Sequence, residues 1–223
     1  MYTSKVKPIK FYYDKNKTAE LEQKLQTYFL DNQEERGDQL HVYDLIYCPV
    51  KAYNRLTGVP KKITKKDIGV LLFGAVSGKL VAELFPEDQR EYETALKNII
   101  GHIDIYENHD IILEVKSTRR RMFKRNQIPL FWINQLKIYM ALENKNVGYL
   151  VILSIFSSQI LCFHLELTDE ELADKRLDCL LSAQKIREAV KTHNPNMLEP
   201  IYEQCRWCWY KKCVRRKKGK EDV

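Results

Sequence analysis

The stretch Gly101–Thr118, "GHIDIYENHDIILEVKST", constrains the fold of this chain more than any other. Apolar and polar positions alternate along "DIILEVK", so an extended strand would carry Ile111, Leu113 and Val115 on one face and Ile112, Glu114 and Lys116 on the other. "GHIDIY" reads as a second strand, with Ile103 and Ile105 on its apolar face and Asp104 opposite. The polar turn "ENHD" joins the two as an antiparallel hairpin. Asp104, Glu114 and Lys116 then converge inside the most strand-like part of the chain.

The flanking segments supply helices and a second pair of strands. "TAELEQKLQTYFLDNQEE" has helical spacing through Leu21, Leu25, Tyr28 and Phe29, and "VYDLIYCPVKAYNRLTG" reads as a second helix closed by Gly58. "IGVLLFGAVSGKLVAELF" predicts a third helix and "PEDQREYETALKNI" a fourth. The apolar window Val147–Leu167 is interrupted by "SSQ" and followed by His164 and Glu166, which favours two buried strands with a turn over Phe156–Gln159 and excludes a membrane span. At 223 residues, 44% of them hydrophobic, the chain is expected to form one domain over residues 1–215 with a basic tail over 216–223. "MYTSKVKPIKFYYDK" lacks the continuous apolar core of a secretory signal, so a cytoplasmic location is expected.

Two carboxylates beside a lysine suit metal-assisted hydrolysis of a phosphodiester. Asp104 and Glu114 would hold a divalent cation, and Lys116 would orient the attacking water or stabilise developing charge. A wet hairpin face explains the same three residues without chemistry. Gln135 and Tyr139, four apart in "LFWINQLKIYMALEN", share a helix face and either reach one substrate or are boundary residues of an amphipathic helix. The net charge of +7, from 37 Lys and Arg against 30 Asp and Glu, favours a polyanionic partner. Arg119, Arg120, Arg121, Lys124 and Arg125, interleaved with Met122 and Phe123, suit a nucleic-acid backbone and equally a solvated loop.

Six cysteines in a chain of this kind argue for metal ligation or burial before disulfides. Cys162 and Cys179 fall in apolar runs and read as small buried side chains. Cys205, Cys208 and Cys213 cluster in "CRWCWYKKC", a grouping that suits an iron–sulfur cluster or a tetrahedral zinc.

The order "YCPVKAY", "GHID", "LEVK", "QLKIY" and "CRWCWYKKC", over residues 41–213, resembles the CRISPR-associated RecB-like iron–sulfur exonucleases of the PD-(D/E)XK nuclease superfamily. The resemblance implies an α/β fold, with a restriction-endonuclease-like core of a central mixed sheet flanked by helices. It makes Asp104, Glu114 and the Val115 carbonyl metal ligands for manganese or magnesium, and Lys116 the catalytic lysine. Gln135 and Tyr139 match the family's Q-x-x-x-Y signature. Cys48 joins Cys205, Cys208 and Cys213 as ligands of a cluster, which would tie residues 41–58 to residues 200–215; [4Fe–4S] is favoured, with [2Fe–2S] still open. The implied activity is exonucleolytic cleavage of DNA, with single strands favoured, from a 5′ end during CRISPR spacer processing, with integrase proteins as candidate partners and the oligomeric state open.

Three departures accompany the match. Gly78 stands where the family commonly has a metal-binding histidine, which leaves His102 or Glu83 as substitutes; Val50 replaces an arginine after Cys-Pro; and the last two cysteines are spaced one residue closer than usual. A weakened homologue that binds DNA ends as a scaffold and a zinc-stapled nucleic-acid-binding module therefore stay open.

Overall fold

A computed structural model of the protein describes residues 15–31, 37–119, 128–154, 156 and 159–215. It divides into two units, Met1–Glu35 and Arg36–Val223. The described element of the first is helix α1 (Lys15–Asp31), whose Glu20 pairs with Lys17 and Lys24 one turn away on either side. The second unit contains all the remaining elements.

Its centre is a mixed sheet. β3 (Ile99–Glu107) and β4 (Ile111–Thr118) form the antiparallel hairpin expected from the alternating pattern, paired from Glu107↔Ile111 to Ile105↔Leu113. β4 then runs parallel to β5 (Val147–Ser154), reached through helix α5 (Leu130–Glu143), and β5 pairs antiparallel with β6 (Gln159–Glu166). On the other edge of β3, β2 (Arg90–Leu96) lies antiparallel to it, whereas the two-residue β1 (Leu40–His41) pairs in parallel with the start of β3 on the edge that β4 takes further along. The sheet order is β1-β3-β4-β5-β6, with β2 joined to β3.

Helices cover both faces, which is what buried strands such as β4 and β5 require. On one face α2 (Val42–Ile46), α3 (Pro49–Leu56), α5 and α6 (Asp169–Lys191) enclose the main core, with Leu40, Ile103, Ile112, Leu136, Met140, Ile152, Leu172 and Ile186 fully buried. Each such side chain contributes about 1.5–3 kcal/mol by leaving water. On the other face α4 (Lys65–Ala82) packs Val81 and Ala82 on Ile105, Leu113, Val115 and Val151. Among the described residues no helix is long and apolar enough to cross a membrane.

Four expectations are corrected. The helix expected from Val42 to Gly58 is two helices, because Pro49 disfavours helical geometry at the residue before it and Cys48 takes φ −53°, ψ 121°. Pro49 then opens α3, where a missing N–H costs nothing. The segment Pro86–Ile99 is not helical: a short 3-10 turn (Glu87–Gln89) leads into β2, where Tyr92, Thr94 and Leu96 turn inward and Glu91, Glu93 and Ala95 outward. A pairing partner along most of β3 outweighs the helix propensity of those residues. Ile103 and Ile105 do not share a face, since Ile103 lies in the main core and Ile105 under α4. Cys162 is exposed, because β6 is an edge strand whose outward positions meet solvent, whereas Cys179 is buried as expected.

Candidate active site

The separation of Ile103 and Ile105 locates the site. With a period of two they would point the same way, so the strand must change phase between them, at Asp104. β2 changes with it: Arg90 pairs with Ile105 and Tyr92 with Ile103, and between them Glu91 adopts φ +45°, the left-handed region that a non-glycine residue rarely enters. At the same level the β3–β4 ladder ends at Ile105↔Leu113. Asp104 therefore sits where β3 parts from β4, and its Oδ2 accepts a hydrogen bond of 2.7 Å from the Val115 backbone N–H.

Glu114 and Lys116 stand next to one another on β4, as the alternation predicted. Glu114 has no exposed surface, and its Oε1 forms an ion pair with the Lys116 ammonium. Its Oε2 has no hydrogen-bond partner among the described residues. A buried carboxylate oxygen without a donor costs several kcal/mol unless it is protonated or holds a cation.

The local electrostatics show the same tension. Burial, reinforced by the Asp104 charge and opposed by Lys116, pushes the Glu114 carboxyl up to about 8. Burial also raises Asp104, against the pull of Lys116 and the Val115 N–H. For Lys116 burial acts downward, but the two carboxylates more than reverse it and hold the ammonium above its ordinary range. Burial and the Lys116 ammonium thus pull the Glu114 carboxyl in opposite directions, and a divalent cation would favour its ionised form.

α5 supplies the next layer. Gln135 Nε2 lies 3.4 Å from the Tyr139 hydroxyl, so the two residues share a face as their spacing predicted. Tyr139 is buried against β3 and reaches it because Gly101 has no side chain: a Cβ there would lie 2.6 Å from Tyr139 Cε1 and 2.8 Å from Val42 Cγ2. Burial first, then the Glu114 charge, raises the Tyr139 phenol far above its ordinary range.

Two residues absent from the sequence reading also belong here. Tyr47, between α2 and α3, has its phenol pushed up to about 12 by burial and feels the charges of Tyr43, Lys116 and Glu114. Glu91 contributes to raising Asp104. Glu91 carries no sequence signal and Tyr47 only its place in "YCPVKAY", since their positions follow from a helix break and a change of strand phase. Of the proposed substitutes for the family histidine, Glu83 pairs with Arg90 at 2.8 Å and His102 is exposed on β3, its ring 6.4 Å from that of His41. A side chain at Gly78 would enter open space. Val50 packs in the main core.

The cysteines separated by over 150 residues meet. Cys48, Cys205, Cys208 and Cys213 line one cavity, closed in part by Tyr210 and Gln204. Gln204 Oε1 accepts the Cys48 backbone N–H at 2.9 Å, and the Ile201 N–H lies 3.4 Å from Cys48 Sγ. None of the four is in a disulfide. Among the described residues no three His, Cys, Asp or Glu side chains are gathered closely enough to bind a single metal ion. As donors, four thiols around one cavity suit a cluster larger than one ion, and one buried and one half-buried carboxylate suit a hard cation that completes its shell with backbone oxygen, water or substrate.

Arg119 is exposed at the end of β4; Arg120, Arg121, Lys124 and Arg125 lie outside the described residues, as does the tail 216–223.

No protein-family model matches the chain, and no curated protein matches it in sequence. Solved structures do. The crystal structure of SSO0001 superposes with a TM-score of 0.57 at 17% identity, over 90% of this chain and 96% of that one. An alkaline exonuclease from Laribacter hongkongensis, LHK-Exo, gives 0.54 at 12% identity, over 77% of this chain and 97% of that one. The same exonuclease in complex with dAMP gives 0.51 at 14% identity, over 71% and 93%. The chain shares the fold of these structures. The shared architecture is a mixed sheet between helices, and at these identities the likeness is one of fold.

Proposed function

We propose that the protein is a metal-dependent DNA exonuclease. The observation that carries this reading is the buried, unpartnered Oε2 of Glu114 beside Asp104 and Lys116, at the point where β3 and β4 part. Asp104 and Glu114 would hold magnesium or manganese with help from the Val115 carbonyl. The cation, when bound, neutralises the scissile phosphate and acidifies a water.

The chain's own groups divide the remaining tasks. Burial raises the Glu114 carboxyl, so cation loading is favoured as pH rises. Lys116 is held protonated by two carboxylates and so serves as a hydrogen-bond donor to the attacking water or a phosphate oxygen rather than as a base. Tyr139 and Gln135 brace this face from α5.

The finer reading is a 5′-to-3′ exonuclease acting on single-stranded DNA in CRISPR spacer processing, with an iron–sulfur cluster on Cys48, Cys205, Cys208 and Cys213. It is supported by the motif order in the sequence and by the convergence of four thiols on one cavity. End-labelled single-stranded DNA incubated with Mn²⁺ should be shortened, and both Glu114→Ala and Lys116→Ala should abolish the product. Undiminished cleavage by both variants would reject the site assignment. Absence of cleavage by the parent protein, with DNA-end binding retained, would instead favour the scaffold reading that Gly78 recommends. Visible charge-transfer absorbance in the anaerobically purified protein separates an iron–sulfur cluster from zinc.

A further inference from the structure

Beside the acidic pair lies a row of rings that the hydrolytic chemistry does not use. Tyr43 on α2, Tyr47 at its C-terminal end and Phe131 in the first turn of α5 follow one another at ring-centroid separations of 4.4 and 5.5 Å, tilted by 47° and 42°. All three are partly exposed. Tyr47 packs against the main core, but Tyr43 and Phe131 do not belong to it. Phe131 has no polar tip to hydrate, and its neighbour Leu130 is 81% exposed, so among the described residues the start of α5 holds apolar surface that no element covers. The Lys51 ammonium lies 4.3 Å from the Tyr43 ring centre and 4.6 Å from that of Tyr47, and also reaches the Tyr43 hydroxyl. Tyr47 brings the row close enough to the site to feel Glu114 and Lys116.

Tilted, partly exposed rings backed by a fixed cation provide what unpaired bases need: π-faces for stacking, and positive charge for the connecting phosphates. A duplex keeps its bases stacked internally and offers the rings only its backbone. We propose that Tyr43, Tyr47 and Phe131 form a stacking track for the bases of a single DNA strand led to Asp104 and Glu114. The inference rests on the nuclease reading and adds to it the residues that distinguish one strand from two. Substrate choice is then set by α2 and the start of α5, away from the metal ligands.

The test compares binding of the full chain, in EDTA so that no cleavage intervenes, to a short oligothymidylate and to an abasic oligonucleotide of equal length and charge. Base stacking predicts a preference of about tenfold or more for the base-bearing strand. Tyr43→Ala with Phe131→Ala should remove that preference without weakening the abasic complex, and Phe131→Trp, which keeps a ring, should retain it. Equal binding of both oligonucleotides by the parent protein overturns the stacking track while leaving the nuclease reading to its own cleavage assay; a preference that survives in the double variant also overturns it. Should the double variant fail to fold, the parent comparison and Phe131→Ser decide in the same way. Failure to bind either strand would overturn the DNA reading and the track together.

Discussion

Glu114 is a wholly buried carboxyl, and the consequences of burying it can be measured without any substrate. Its folded carboxyl is raised to about 8 by burial, facing Asp104, Lys116, Tyr47 and Tyr139. Between its ordinary range and pH 8 the folded state binds the extra proton, so metal-free stability should fall as pH rises, by at most about 1.4 kcal/mol per pH unit. Thermal melts in EDTA over that range should show the decline, and Glu114→Gln should flatten it. Adding Mg²⁺ or Mn²⁺ should raise the melting temperature most above pH 8, where the carboxylate is free to bind it. Lys116→Met removes the ammonium that opposes the burial of both carboxyls, so its metal-free melting temperature should fall more steeply with pH than the parent's. The sequence made these three residues legible because strand periodicity alone aligns Glu114 with Lys116. It did not reveal that Glu114 would be wholly buried, which depends on α5 closing over the strand.

At the scale of elements, two local features hold the site in place. Gly101 lets Tyr139 approach β3, and Gly101→Ala should cost about 1–3 kcal/mol by forcing the Tyr139 ring and Val42 apart. Urea denaturation reads the loss, and reduced cleavage at full metal saturation would show that α5 had shifted. The second feature is Arg55, which binds Asp44 through Nε at 3.2 Å and Nη2 at 2.7 Å and donates to the Gly37 and Gln39 carbonyls at 2.8 and 2.6 Å. This buried pair fastens α3 to α2 and to the chain entering β1, and Arg55→Leu leaves Asp44 charged and enclosed, a loss of about 3–5 kcal/mol by denaturant unfolding. Among these elements, the strands of the hairpin follow from periodicity and α4 from a long apolar stretch. The break before Pro49 was present as a Cys-Pro step but was overridden by the apolar spacing on either side of it. β2 was hidden because "EYETALKN" has helix-forming composition, and only its pairing with β3 makes it a strand.

For the molecule as a whole, the thiol cavity joins the break between α2 and α3 to the C-terminal segment, and Lys62 N–H to Trp209 carbonyl adds a backbone link at 2.9 Å. If a cluster closes this loop, Cys208→Ser should bleach the visible absorbance, lower the melting temperature and expose residues 200–215 to protease before the sheet unfolds. A colourless parent protein containing zinc would reassign the metal while keeping the staple. Sequence alone determined the hairpin, the acid–acid–lysine set on its strands, the grouped C-terminal cysteines and the helix that follows, because each is written in the spacing of residues near one another in the chain. Tertiary structure decided the rest. Folding brought Cys48 into the cavity that Cys205, Cys208 and Cys213 also line, reversed the strand phase at Glu91 and Asp104, and placed Tyr47 beside the acids, since these depend on which elements pack together and which strand edges find partners.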